Sequence, residues 1–203
     1  MYLSIDLDAW NQRPLDLIFF PKIWALKAPI VLVDDHSHLL PYVNEKDYGV
    51  LFNIDHHDDI LTSKHLSLFD TKEPIHCGNW VSHVTWKETG KYVWCSTRKS
   101  PDWGMCDGTY VWKEGYSTGW HQVRRIMGFP KIPLNLVQAV GIAFSHSCLV
   151  RNPTSVEFIS RLFDTSATEA IKILKDQRIV GVVGNGRVSS LGYAVTANQQ
   201  SWR

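Results

Sequence analysis

Gly49-Val50-Leu51-Phe52-Asn53-Ile54-Asp55-His56-His57-Asp58-Asp59 holds the key to both fold and chemistry. Its first half is a continuous apolar run of strand length, as expected of a strand covered on both faces. Its second half is carboxylates and imidazoles, which a buried chain tolerates only when they are paired or hold a metal. The same junction occurs twice upstream. Residues 2–6 run into Asp6-Leu7-Asp8, and residues 29–33 (Pro-Ile-Val-Leu-Val) run into Asp34-Asp35-His36-Ser37-His38. Residues 92–95 and 137–144 read as further strands. Helical readings fall at 39–46, 79–88, 153–163 and 167–175, with loop plus helix at 14–26. Pro153 and Thr154 give the third of these a clear start signal. Apolar strands alternating with helices predict an α/β fold with a mainly parallel sheet, as one domain over 1–203.

Two features lie outside that alternation. Residues 179–183 and 188–195 predict a hairpin around Gly184-Asn185-Gly186. That glycine pair lacks a Walker lysine and the dinucleotide pattern, so it reads as a turn and not a phosphate loop. Residues 97–120, rich in Gly, Ser, Asp and Trp, read as a long loop or a small excursion.

In open α/β sheets ligands bind outside the carboxyl ends of the strands, so three clusters placed there can converge. Residues two apart on extended chain point the same way, which predicts one pocket shared by Asp6 and Asp8 and by Asp55, His57 and Asp59. His56 and Asp58 would point away. With His36, that gathers four carboxylates and two imidazoles, more negative charge than a pocket holds without cations. A pair of divalent ions about 3.5–4 Å apart would offset it and activate a water. Carboxylate with imidazole suits Mn, and the lack of thiolate argues against structural zinc.

Composition narrows the rest. The chain has 203 residues, 44% hydrophobic and 20% charged, with a formal charge of +1. No global field attracts nucleic acid or an anionic membrane, and no window approaches the roughly 20 apolar residues of a membrane span. Met1-Tyr2-Leu3 leads straight into the first strand, without a signal-peptide pattern. Cys77, Cys95, Cys106 and Cys148 form no CxxC pair. They read as buried small residues, in a protein expected in the reducing cytoplasm.

Asp35-His36-Ser37, Asp55-His56-His57-Asp58-Asp59 and Ser4-Ile5-Asp6-Leu7-Asp8 together resemble the metal-binding motifs of the arginase and agmatinase superfamily. Those read Gly-Asp-His-Ser, Asp-x-His-x-Asp and Ser-x-Asp-x-Asp. The chain is most similar to the small arginase-like family UPF0489, some of whose members are peptide arginases that turn arginine residues of ribosomally made peptides into ornithine. The resemblance covers residues 1–90 with specific motifs. It implies an arginase-like three-layer α-β-α fold and two Mn ions, one held by Asp6, His36, Asp55 and Asp59 and the other by Asp6, Asp8, Asp55 and His57. The implied reaction is attack of an activated water on the guanidinium carbon, with release of urea. The implied partner is an arginine-containing precursor peptide.

The chain departs from the arginase pattern in three ways. The Asp-x-Asp motif comes first and not last, which implies a circularly permuted strand order. The position two residues after Gly78-Asn79, where arginases place a proton-shuttle histidine, is Val81. His76 and His83 flank it and are the shuttle candidates, seven residues apart and so on one face of a continuous helix. No acidic residue to grip the guanidinium is evident, which leaves Asp102 and Asp107 of the long loop. The chain is also shorter than arginases acting on free arginine, which suits an open site and a peptide substrate.

Other readings compete. Asp55-His56-His57 also spells the signature of DHH phosphoesterases, but the glycine-rich substrate loop of that family is missing. A deacetylase-like metal amidohydrolase would need one metal and fewer carboxylates. A non-catalytic peptide-binding module would not need the complete ligand set. Trp80, Trp86, Trp94, Trp103, Trp112 and Trp120 read as core packing before they read as a peptide groove. Ser145-His146-Ser147-Cys148 would reach the mouth of the site if its strand runs parallel to the others.

Overall fold

The three acidic junctions stand at the ends of neighbouring parallel strands. The computed structural model describes residues 1–10, 19–57, 59–60, 74–85, 90–96, 108–111, 122–127, 132–145, 153–175, 181–184, 187–190 and 194–196. Strands β1 (Tyr2–Asp6), β2 (Ile30–Val33), β3 (Val50–Asp55) and β4 (Lys91–Ser96) are joined by β5 (Gly108–Val111), β6 (Gln122–Met127) and β7 (Ala139–Ala143). Beyond these come β8 (Gly181–Gly184), β9 (Arg187–Ser190) and β10 (Ala194–Thr196). They form one sheet in the order β10-β9-β8-β2-β7-β1-β3-β4-β6-β5. From β2 to β6 all neighbours pair in parallel. The strands at both margins are antiparallel.

Helices α1 (Phe19–Trp24), α2 (Leu40–Val43), α3 (Pro153–Phe163) and α4 (Ala167–Lys175) cover the two faces. Alternation along each strand divides the core. Leu3, Ile5, Leu32, Ile54 and Ile142 pack with Phe20 and Ile23 of α1, Phe158 and Ile159 of α3 and Ala170 of α4. Tyr2, Val31, Val33, Leu51 and Tyr92 pack on the other face with Leu39, Val43, Trp80 and Val84. The result is a three-layer α/β fold with a mainly parallel sheet. α3 opens on Pro153, whose fixed φ suits a first helical position. α4 is capped by Ser166, which accepts from Glu169 N at 3.2 Å.

Four expectations need correction. Of the helix expected at 79–88, the described residues 79–85 are not helical: Trp80–His83 make a single 3-10 turn and Val84 is already extended, while residues 86–88 lie outside the described residues. β-branched Val81, Val84 and Thr85 disfavour helix here. Asn79 spends its side chain accepting from His76 N and donating to Pro74 O, so it does not cap a helix. Residues 39–46 hold only α2, preceded by a 3-10 turn at His36–Leu39. The stretch 97–120 contains β5, and β6 went unread because Arg124 and Arg125 interrupt its apolar pattern. The predicted second hairpin strand, 188–195, is two antiparallel strands, β9 and β10. β8 and β9 do pair as a hairpin, and residues 185–186 of its turn lie outside the described residues.

Among the described residues no helix is long and apolar enough to cross a membrane. Cys95 is buried, and burial pushes its thiol up to about 12, as befits a packing residue. Cys106 and Cys148 lie outside the described residues.

Candidate metal centre

Asp6 ends β1 and Asp55 ends β3, side by side in the parallel sheet. β2 and β3 lie on opposite sides of β1, so the winding reverses there, where open α/β sheets place their ligand crevice. A shared local device turns the chain at each strand end. Asp6 accepts from Asp8 N at 2.8 Å, Asp35 from Ser37 N at 2.8 Å and Asp55 from His57 N at 2.8 Å. Such aspartate turns bend the backbone two residues on. Alternation on extended chain therefore does not bring Asp55, His57 and Asp59 together. β3 stops at Asp55, and Asp59 sits in the left-handed region at φ 55°.

The six residues nevertheless form one cluster. His36 Nδ1 stands 2.9 Å from Asp55 Oδ2, 2.9 Å from Asp59 Oδ2 and 3.3 Å from Asp6 Oδ2. His57 Nδ1 stands 3.3 Å from Asp8 Oδ2 and 3.8 Å from Asp55 Oδ1. Asp6, His36 and Asp55 form one group that can hold a metal ion, and Asp8, Asp55 and His57 form another. Asp55 belongs to both. The groups differ in depth, since the His36 side chain is 1% exposed and that of His57 58%.

Two observations test the fit of a cation. Asp6, Asp8, Asp55 and Asp59 are all buried, and their ion-pair partners among the described residues are His36 and His57, with no lysine or arginine. Second, three carboxylate oxygens converge within 2.9–3.3 Å on the buried His36 Nδ1, more acceptors than its one N–H can serve. Ligand atoms gathered this closely are spaced as those around one ion are. Ligands at right angles, each about 2.1 Å from an ion, lie about 3 Å apart. The 2.9–3.3 Å spacings around His36 fit that figure.

The electrostatics agree. Burial, then Asp8, pushes the Asp6 carboxyl up to about 6. Burial and the neighbouring Asp59, Asp8 and Asp6 hold Asp55 well above the ordinary carboxylate range. Burial alone would lower His36, but Asp55, Asp59 and Asp6 outweigh it and raise the imidazole well above its ordinary value. The Asp8 hydrogen bond lifts His57 to about 9. Carboxylates crowded in this way form an environment that a bound cation would relieve.

Neutral groups surround the ligands, several of them missed in the sequence. Ser4 Oγ lies 2.6 Å from His36 Nε2, which leaves Nδ1 facing the carboxylates. Asn53 Nδ2 donates to Asp55 Oδ2 at 3.3 Å and to Tyr92 at 3.1 Å. Trp80 Nε1 donates to Asp59 Oδ2 at 2.7 Å. Ser145, at φ 49°, donates from its hydroxyl to Asp6. β7 is parallel to β1 and β2, and Ser145 does reach the mouth, while residues 146–148 lie outside the described residues. Ser4 and Asn53 each stand two residues before a ligand on the same strand, a signal the sequence did contain.

The other candidates fare differently. The structure does not place His76 and His83 on one helical face, because the turn ends at His83. His76 is exposed and accepts from Gly78 N at 3.1 Å. Burial, then His76, pushes His83 below its ordinary value. No contact among the described residues joins either histidine to the six ligands. Asp58, Asp102 and Asp107 lie outside the described residues, as do Trp86, Trp103, Trp112 and Trp120. Trp80 and Trp94 are buried, as packing residues should be, and each also holds a ligand residue, Trp94 donating to Asp55 O at 3.1 Å. A cavity of about 500 Å³ lined by Lys27, Lys46, Leu134 and Gln138 lies at the amino ends of β2 and β7, away from the cluster.

Fold and site together define an α/β protein with buried Asp/His groups able to hold metal ions. Comparisons with protein-family models, with curated proteins and with solved structures found no match.

Proposed function

We propose that the protein is a binuclear Mn-dependent hydrolase that converts arginine residues of a peptide to ornithine with release of urea. The observation that carries the metal part is the convergence of three carboxylates on the buried His36 Nδ1. The arginase part rests on the motif resemblance of residues 4–8, 35–37 and 55–59. When bound, a pair of divalent cations supplies Lewis acidity and a water acidic enough to act as nucleophile at neutral pH.

The chain's own residues divide the remaining work. Asp6, His36, Asp55 and Asp59 would hold the inner ion, and Asp8, Asp55 and His57 the outer one. Asp55 is common to both groups, and its oxygens are braced by Asn53 and by His57 N. The exposed His57 marks the side from which substrate arrives. Exposure of His57 suits an arginine side chain extended from a polypeptide, whereas a free amino acid needs enclosing groups for its charged ends.

The test is urea release from an arginine-containing peptide by Mn-loaded protein, with mass spectrometry of the peptide. The expected result is loss of one cyanamide unit per reacted arginine, matched by urea and abolished by a chelator. Metal binding without urea from peptide or free arginine would reject the arginase reading. Phosphate release would then support a phosphoesterase, and acetate release a deacetylase-like amidohydrolase.

A further inference from the structure

Asp59 is held differently from the other inner ligands. Asp6 and Asp55 are strand residues fixed by ladders in the middle of the sheet. Asp59 lies beyond the end of β3 with its backbone in the left-handed region. What locates it is a grip from three consecutive residues. Trp80 Nε1 donates to Asp59 Oδ2 at 2.7 Å, Val81 N to Asp59 O at 3.1 Å, and Ser82 Oγ to Ile60 O at 3.2 Å.

Trp80 makes a second contact. Its ring lies 4.7 Å from the His36 imidazole, at 43°. The side chain is 0% exposed, so it has no freedom to settle elsewhere. An indole N–H can only donate, so it bonds a carboxylate oxygen and leaves that oxygen a further lone pair for another partner. One rigid ring thus touches both members of the Asp59–His36 pair, whose facing atoms are 2.9 Å apart. A phenylalanine would fill most of the same space without the hydrogen bond. Packing alone therefore does not account for tryptophan here.

We infer that Trp80 is a positioning residue for the inner metal position, setting the Asp59 carboxylate against His36 through its indole N–H. The inference rests on the metal-centre reading above. Polar partners of metal ligands are worth roughly tenfold to hundredfold in metal affinity. Trp80 contributes on that scale through Asp59 and not through general stability.

The experiment titrates apo protein with Mn(II), reading free Mn(II) by electron paramagnetic resonance, and records the melting temperature of each apo variant. Trp80→Phe is expected to weaken the tighter binding step by roughly tenfold to hundredfold. Val84→Ala, buried in the same segment but away from the ligands, should lower the melting temperature without changing that step. In an Asp59→Ala background, Trp80→Phe should have no further effect on affinity, as two residues acting through one contact require. Ser82→Ala, which loosens the same grip at Ile60, should weaken binding in the same direction, and keeps the test decisive if Trp80→Phe does not fold. Wild-type affinity in Trp80→Phe, or in Ser82→Ala where the former does not fold, overturns the inference while leaving the metal centre in place. Failure of the wild-type protein to bind Mn(II) overturns the metal-centre reading itself.

Discussion

Asp55 carries the greatest electrostatic load of any residue in the cluster. Its carboxylate is 1% exposed and meets Asp59, Asp8 and Asp6. A carboxyl held above its unfolded value costs the folded apo chain stability at pH 7, and that cost disappears as pH falls toward the unfolded value. Asp55→Asn is therefore expected to raise the melting temperature of apo protein at neutral pH, by an amount equivalent to roughly 1–3 kcal/mol. The same variant should bind no metal tightly, because Asp55 serves both groups. A lower apo melting temperature would show that Asp55 supports the fold instead. His57→Ala should remove only the outer ion, and His56→Ala neither, measured as metal per chain by elemental analysis. His56 offers its backbone N to Asp8, which that substitution keeps. The six residues that gather in the cluster were legible because each of their segments follows an apolar strand. Their route into the pocket was not, since an aspartate turn and a left-handed Asp59 leave no periodicity to read.

At the scale of elements, the 3-10 turn His36–Leu39 is pressed onto β7, and Gly141 is what lets it approach. A Cβ at that position would come within 2.6 Å of Leu39 Cδ2 and of the Tyr2 hydroxyl, both buried. Gly141→Ala should cost about 1–3 kcal/mol through overpacking. Because Leu39 and His36 share the turn, it should also weaken metal binding. Thermal melting together with Mn(II) titration checks both, and a stability loss with unchanged affinity would separate the turn from the site. The buried strands were legible because apolar runs of four to six residues have few other uses. The turn at Trp80–His83 was misread as part of a helix because Trp80, Val84 and Lys87 stand at helical spacing in the sequence. Only the grip on Asp59 and Ile60 shows why the segment stays tight.

For the whole molecule, a cation that binds only the folded state should stabilise it. At about a hundred times its dissociation constant one ion contributes about 2.7 kcal/mol. In a chain of this size that is a rise of roughly 5–10 °C in melting temperature. Differential scanning fluorimetry with Mn(II), and reversal by a chelator, measures it. No shift at saturating Mn(II) would mean that the carboxylates are balanced in another way. The α/β arrangement with a mainly parallel sheet was legible from strand–helix alternation. The sheet order was not, since nothing local in residues 139–143 says that they insert between β1 and β2.

That insertion has a consequence for biosynthesis. All six ligands lie before residue 60, yet β1 and β2 meet only through β7, and Ser145 reaches Asp6 from beyond it. A nascent chain therefore carries a full set of ligands through most of translation without a place to assemble them. The pocket can close only after residue 145 has left the ribosome. Such long-range pairing makes folding slow and late. Until then the acidic ends of β1 and β2 lack β7, the strand that joins and buries them in the finished sheet.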